Sequence, residues 1–431
     1  MRVAVIGAGI VGVTTAYELA SDGHAVTVFE RRASVAEETS FANAGIVAPG
    51  YVTPWAAPGM PAKVLRQLFS RHAAITLARP WAPGQLGWLW RWWRACRAEA
   101  FQANRARMHR LAHYSRQRLL ALGDELRLDH EQSRGYLVLL RGPAELTQAR
   151  ATLSLLAELG VRFALVDGQR ARALEPGLNA DTPLQAAVHL PDDLVGNCRQ
   201  FAHLIRGEAQ RRGAEFRFQR QVLAIGSGAA PGLHHRTSDE AGGAVTDERF
   251  DAVVVCAAMG SAPLLAPLGL RLPLAAVHGY SITAPLRHFD GHAAALPESA
   301  PRSAVMDERY KVAISRLGDR VRVAGSAELG GRLDSHRPAA IATLYKVLSD
   351  WYPGCAQLAK VQRWKGARPM LPDGPPVLGA SGAPGVWLNL GHGSSGWALA
   401  CGSARVLADL LAGRAPAIDT EGLDASRPGL R

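Results

Sequence analysis

Within its first thirty residues the chain sets GAGIVG between a short apolar strand, Met1–Ile6, and a helix, Val11–Ala20. A second strand, Ala25–Phe29, ends at Glu30, 18 residues beyond Gly12. Each part has a physical job. Gly7 permits the tight turn, Gly9 lets backbone approach a pyrophosphate, and Gly12 lets helix and strand pack closely. Ala8, Ile10 and Val11 complete the turn and count with the glycines as cofactor-binding residues. The pyrophosphate would rest on the helix N-terminus, where free N–H groups and the helix dipole favour negative charge. Glu30 would accept hydrogen bonds from the adenosine ribose and repel a 2′-phosphate. The fingerprint predicts a bound dinucleotide. It does not separate FAD from NAD.

At 431 residues the chain is long enough for two domains, each with its own core. Its five cysteines are scattered and form no CxxC, which argues for reduced thiols rather than a disulfide frame or a metal site. The N-terminal apolar run is too short and too glycine-rich for a signal peptide. Two uncharged stretches, Thr39–Ala62 and Gly374–Ala404, are broken by prolines and glycines and do not read as membrane helices. The expectation is a cytoplasmic protein.

The net charge is +12, and the excess is concentrated. Arg91, Arg94, Arg97, Arg105, Arg107, Arg110, Arg116 and Arg118 meet only Glu99 between Arg91 and Arg118. Just upstream lie Trp88, Trp90, Trp92 and Trp93. Tryptophan beside arginine on a helix suits the headgroup level of an anionic membrane, giving peripheral contact on the inner face of the cell membrane. The competing reading turns Trp90 and Trp93 to the core and leaves the arginines on a solvated face. Nucleic acid is not expected, because no stacking platform or reader motif accompanies the charge.

Further along, residues from Pro61 to Gly123 read as mostly helical, Gly135–Leu140 as a strand and Ala144–Leu159 as a helix. Phe201–Arg212 reads as an amphipathic helix, followed by strands at Ala214–Phe218 and Gln221–Ile225, the latter carrying Val222. Ser238–Asp247 reads as a polar turn. Phe250–Ala257 is a nearly continuous apolar run, as expected for a strand covered on both faces. It ends at Ala257 and Ala258, at a strand's carboxyl end, where open α/β sheets bind ligands. Strands are expected at Tyr280–Thr283, Val312–Ser315, Val321–Ala324 and Val386–Leu390. A helix should run from Trp397 to about Leu411. Asp192 and Asp193 read as turn residues without a catalytic part. The fold class is therefore α/β: a Rossmann-like cofactor domain, discontinuous in sequence, with a second α+β domain built around an antiparallel sheet. The expected boundaries are 1–62, 196–275 and 360–431 for the cofactor domain, and 63–195 and 276–359 for the second.

Five blocks occur in a telling order: the N-terminal fingerprint, SFANAGIVAPGYVTPWAAPG, VHGYSIT (Val277–Thr283), WKGARPMLPDGPPVLG (Trp364–Gly379) and LNLGHGSSGWALACGSARVLADL (Leu388–Leu410). In this the chain resembles FAD-dependent D-amino acid dehydrogenases of the D-amino acid oxidase and glycine oxidase superfamily. The resemblance spans Met1 to about Leu411. It implies FAD rather than NAD, oxidative deamination of a small D-amino acid to a 2-oxo acid and ammonia, and electrons passed to a quinone or respiratory-chain acceptor. Hydride would move from the substrate Cα to the flavin N5.

The resemblance also assigns residues. Arg368, in GARPM, occupies the position that grips the substrate carboxylate, and a guanidinium fork suits that task better than an ammonium. Tyr280 and Tyr310 are further candidates for the substrate site, each weighed against an ordinary packing role, as is His278. The loop Gly391, His392, Gly393, Ser394, Ser395 and Gly396 should face the flavin pyrimidine, with N–H groups at a helix start. Ser40, Asn43, Ala44 and Gly45 resemble the segment passing near the isoalloxazine. Arg31 and Arg32 flank the adenine or are simply solvated. Three rival functions remain: a soluble oxidase of glycine, sarcosine or cyclic imino acids, the flavin module of a tRNA-modifying enzyme, and a non-catalytic flavin-binding subunit.

Overall fold

The computed structural model describes residues 1–67, 73–79, 84–238, 243–287 and 299–430. Two sheets organise them. In the first, the strand Arg2–Ile6 lies between Ala25–Phe29 and Ala252–Val255, all parallel, with Val3 opposite both Val26 and Ala252. Glu215–Arg217 extends one edge; Val386–Leu390 and then Val377–Ala380 extend the other. Side chains alternate along a strand, so each face of this sheet acquires its own core. Val3 and Val5 join the helices Ile10–Ser21, Ala98–Leu126 and Gly396–Leu411. Ala4 and Ile6 point the other way, into a cluster with Leu233, Leu264 and Leu388.

The three helices are locked by charge as well as by packing. Glu18 is fully buried and receives Arg118 at 2.7 Å and Arg405 at 2.9 Å. Other arginines of the long helix are matched in the same way: Arg110 by Asp419, Arg116 by Asp193. Much of the basic run therefore meets acids brought in from distant parts of the chain.

The second sheet is mainly antiparallel and runs Gln362–Met370, Ala275–Pro285, Arg320–Gly330, Val312–Leu317, Ala304–Asp307, Ser133–Leu140, Ala186–Val195, Ile46–Val47. The helix Pro338–Trp351 covers one face, burying Leu344, Val347 and Trp351 against Tyr280, Ile282 and Val323. On the sheet's other face the helix Pro143–Glu158 packs Ala149 and Leu156 against Tyr136, Val138 and Leu140.

Several expectations change here. Ile46–Val47 and Gln362–Met370 belong to the second sheet, although both fall in segments assigned to the cofactor domain. Conversely, the helix Ala98–Leu126, assigned to the second domain, packs on the first layer. Backbone pairing and an apolar helix face decide these memberships, and neither follows sequence proximity. Ile75–Ala78 interrupts the helical region as a strand parallel to Arg320–Gly330. Asp192 and Asp193 are not turn residues: they lie in the strand Ala186–Val195, where burial pushes the Asp193 carboxyl up to about 7. Residues 239–242 of the expected polar turn lie outside the described residues, and Thr246–Asp247 already pair as strand.

Candidate active site

A cavity of about 320 Å³ opens along the carboxyl ends of the first sheet's strands, from Glu30 past Gly7–Val11 to Gly391–Gly396. Its floor is backbone. Gly7 has φ +100°, and a Cβ there would sit 2.8 Å from the Cys256 carbonyl oxygen. A Cβ on Gly12 would lie 1.9 Å from the Gly7 oxygen, so helix and turn touch directly at that point. The Ile10–Ser21 helix starts at Gly9, and Ser40 accepts a hydrogen bond from the Ile10 N–H at 3.1 Å.

At one end the Glu30 carboxylate accepts from the N–H groups of Ala8 at 2.7 Å and Arg32 at 2.8 Å. Burial raises its pKa, and those two donors pull it back in part. Arg31 and Arg32 line the mouth and both pair with Glu38, at 2.6 and 2.8 Å. Val222, Ala257 and Ala258 form the facing wall.

At the other end, Gly393 (φ +56°) approaches Met370 so closely that a Cβ would lie 2.6 Å from its sulfur. His392 is buried, bonds to Ser403 Oγ at 3.0 Å and bridges to Met370. Desolvation lowers its pKa to about 3, so the imidazole is neutral. A floor without side chains, helix N–H groups at its centre and an acid at one end fit a dinucleotide.

Arg368 stands beside this cavity, next to Pro369, which lines it. Its side chain is half-buried, and desolvation draws its pKa from 12.5 down to about 10. Nη1 donates to the Ser326 carbonyl at 2.9 Å, and the Trp55 ring centroid lies 6.0 Å from Cζ. Among the described residues no carboxylate pairs with it. Alternation along Gln362–Met370 puts Arg368 on the same face as Met370, the residue touching Gly393.

The structure separates other expected residues from this face. Tyr280 is one residue from Gly279, so it points to the opposite side, where its hydroxyl donates to Glu328 at 2.8 Å and accepts from the Arg337 N–H. His278 shares that side and donates from Nδ1 to the Gly330 carbonyl. Tyr310 lies at the far hairpin, against Arg141 and Lys346. Neither tyrosine reaches Arg368, because alternation and strand position decide direction whatever the residue type.

Asn43, Ala44 and Gly45 do not line the cavity. They brace the two layers: Arg322 donates to the Asn43 carbonyl, Ser315 to that of Ala44, and Trp397 to that of Gly45. Ala8, Gly12, Ser394 and Ser395 also sit behind the lining. Sequence reasoning passed over Trp55, Gly279, Ser326 and Thr39, whose hydroxyl donates to the Ala367 carbonyl at 2.7 Å. Trp55 and Gly279 stood inside the matched blocks, the one available signal; Ser326 carried none.

A glycine-floored cradle with an acid at one end is the site of a dinucleotide-dependent oxidoreductase, and beside it stands a half-buried guanidinium that pairs with no acid among the described residues. The chain belongs to the FAD dependent oxidoreductase (DAO) family, whose model matches residues 2–410, and FAD is its cofactor. It is 42% identical over 430 residues, covering 99% of this chain and all of the relative, to a protein of Rhizorhabdus wittichii named D-amino acid dehydrogenase. A Cereibacter sphaeroides protein of the same name is 43% identical, covering all of this chain and 97% of its own. Among solved structures, glycine oxidase from Geobacillus kaustophilus superposes with a TM-score of 0.75 at 20% identity, covering 99% and 98% of the two chains, a likeness of fold.

Proposed function

We propose that this protein oxidatively deaminates small D-amino acids to 2-oxo acids and ammonia, passing the electrons to a quinone or another respiratory acceptor. The observation that carries this reading is Arg368: a half-buried, desolvated guanidinium with no acid partner among the described residues, on the face that meets the Gly391–Gly396 loop. Such a charge is costly until a carboxylate reaches it. The relatives' names supply the D-amino acid.

In this reading FAD, when bound, supplies the acceptor for the hydride on the substrate Cα. The chain's own residues do the positioning. Glu30, Gly7–Gly12 and Ser40 hold the dinucleotide. Gly391–Gly396 presents N–H groups at the start of the Gly396–Leu411 helix, where negative charge is favoured. Arg368 fixes the substrate carboxylate, and that restriction of freedom accounts for much of the rate. His392, neutral and bonded to Ser403, holds the loop without titrating near neutral pH.

A second surface supports a membrane-borne acceptor. Trp90 and Trp93 are 57% and 49% exposed and stack at 5.1 Å, next to Leu86 and Arg94 on the helix Gln85–Ala95. Trp88 alone of that group is buried, its indole donating to the Met370 carbonyl. No described helix is long and apolar enough to cross a membrane. Exposed indoles beside arginine suit an anionic lipid surface.

Anaerobic mixing with D- and L-amino acids, glycine, sarcosine and proline analogues tests the proposal. Bleaching of the yellow protein by D-amino acids, with quinone reduction and no peroxide, is the expected result. Bleaching by glycine or sarcosine with matching peroxide would replace it with an oxygen-dependent oxidase. Co-sedimentation with vesicles containing anionic lipid should fall when Trp90 and Trp93 become alanine; unchanged binding would remove the membrane surface from the account.

A further inference from the structure

Arg368 is held by a device that the family likeness does not assign. Gly279 pairs with Gly366 across the antiparallel strands Ala275–Pro285 and Gln362–Met370. Both glycines lie on the Arg368 face. A Cβ on Gly279 would stand 2.3 Å from Arg368 Nη2, 2.6 Å from Cζ and 3.0 Å from Nη1. The guanidinium therefore lies flat on bare backbone. A Cβ on Gly366 would meet the Trp364 ring in the same way, at 1.9 Å.

On its other side Gly279 faces a bulge. His278 pairs with Glu328 and Tyr280 with Gly325, so Ser326 and Ala327 together oppose the single Gly279. Ser326 has φ +60°, a left-handed conformation that a non-glycine residue adopts at a cost. The extra residue turns the Ser326 carbonyl onto Arg368 Nη1 at 2.9 Å. Left-handed strain beside a half-buried charge is the kind of outlier that marks a positioning element.

We infer that Gly279 and the Ser326 bulge are positioning residues that hold the Arg368 guanidinium in one plane, its remaining N–H groups turned to a ligand carboxylate, with the Trp55 ring 6.0 Å from its Cζ. This rests on the reading of Arg368 as the carboxylate anchor. The guanidinium is the far end of a flexible chain, so a methyl on Gly279 displaces it and leaves the sheet intact. The bulge also explains why the glycine sits where one residue opposes two: a side chain there would occupy the plane of the fork.

The test is a double-mutant cycle on the FAD-loaded protein, read by calorimetric binding of a non-reactive carboxylate, propionate, and by the substrate dependence of anaerobic flavin reduction. Gly279→Ala should weaken propionate and raise the half-saturating substrate concentration about 10- to 100-fold, with flavin content unchanged. In an Arg368→Ala background the same change should have almost no further effect, because the group it displaces is gone. Loss with Arg368→Ala but none with Gly279→Ala overturns the inference and leaves the anchor standing. Additive losses overturn it too, since Gly279 would then act elsewhere. No loss with Arg368→Ala removes the anchor and the inference together. If Gly279→Ala does not accumulate, Trp55→Leu on the irregular loop replaces it. An affinity loss of about threefold to tenfold supports the cradle; unchanged affinity overturns it.

Discussion

Replacing Arg368 with alanine has two opposite consequences that together test the account of the site. Desolvation lowers the Arg368 pKa from 12.5 to about 10, which at about 1.4 kcal/mol per tenfold corresponds to about 3 kcal/mol acting against the charge. The Ser326 carbonyl supplies one neutral partner and Trp55 a distant ring face. A bidentate carboxylate recovers an energy of that order, within the roughly 2–5 kcal/mol seen when one member of a buried charged pair is removed. The expected loss of substrate affinity in Arg368→Ala is thus about two powers of ten. The FAD-loaded protein without substrate should lose no stability and should gain some, because a desolvated charge with no acid partner among the described residues has been removed. Stopped-flow flavin reduction across D-alanine concentrations gives the first quantity, and thermal unfolding of the FAD-loaded protein gives the second. Unchanged affinity with full flavin content would refute the carboxylate anchor. A fall in melting temperature of several degrees would refute the claim that Arg368 is held at a cost for function.

Three further outcomes follow from the same geometry. Propionate has no titrating amine, so its binding should fall as pH rises through about 10, where Arg368 loses its proton, and the decline should vanish in Arg368→Ala; a flat profile in the parent protein counts against it. Glu30→Gln should weaken FAD binding by about 1.5–3 kcal/mol through loss of charged hydrogen bonds to ribose, measured by flavin fluorescence on titration, and an unchanged constant would place the ribose elsewhere. His392 has a folded pKa near 3 against 6.5 in the unfolded chain, so the unfolded state takes up the proton between those values and stability drops as pH falls through that window. His392→Gln should therefore lessen acid destabilisation by about 2–3 kcal/mol near pH 4.5, and identical acid unfolding curves for parent and variant would contradict the buried neutral imidazole.

The glycine turn and the acid that follows it were legible from residue order because their geometry is local. Gly7, Gly9, Gly12 and Glu30 act through a single strand–turn–helix–strand unit, and Gly391–Gly396 through one turn before one helix. The strand at Val386–Leu390 and the closing helix could be read from apolar runs and their breakers. Arg368 was legible as a block, though its lack of an acid partner among the described residues was not. The tyrosines show where such reading fails. Tyr280 sits one residue from Gly279, and strand alternation sends it to the opposite face, into Glu328 and the helix Pro338–Trp351. The tryptophans went the other way, since Trp90 and Trp93 face solvent and Trp88 is buried.

Taken alone, the amino-acid order determined a glycine turn between a strand and a helix, an acid at the end of the second strand and a candidate grip for an anionic ligand, because each depends on neighbours within a few residues. Tertiary structure decided which strands share a sheet, which arginines of the basic run find acids and which face Arg368 occupies. It also decided that Gly279, Ser326 and Trp55, separated by 47 and 224 positions along the chain from Gly279, converge on one guanidinium. The reason is physical: pairing register and burial join residues that no local propensity connects.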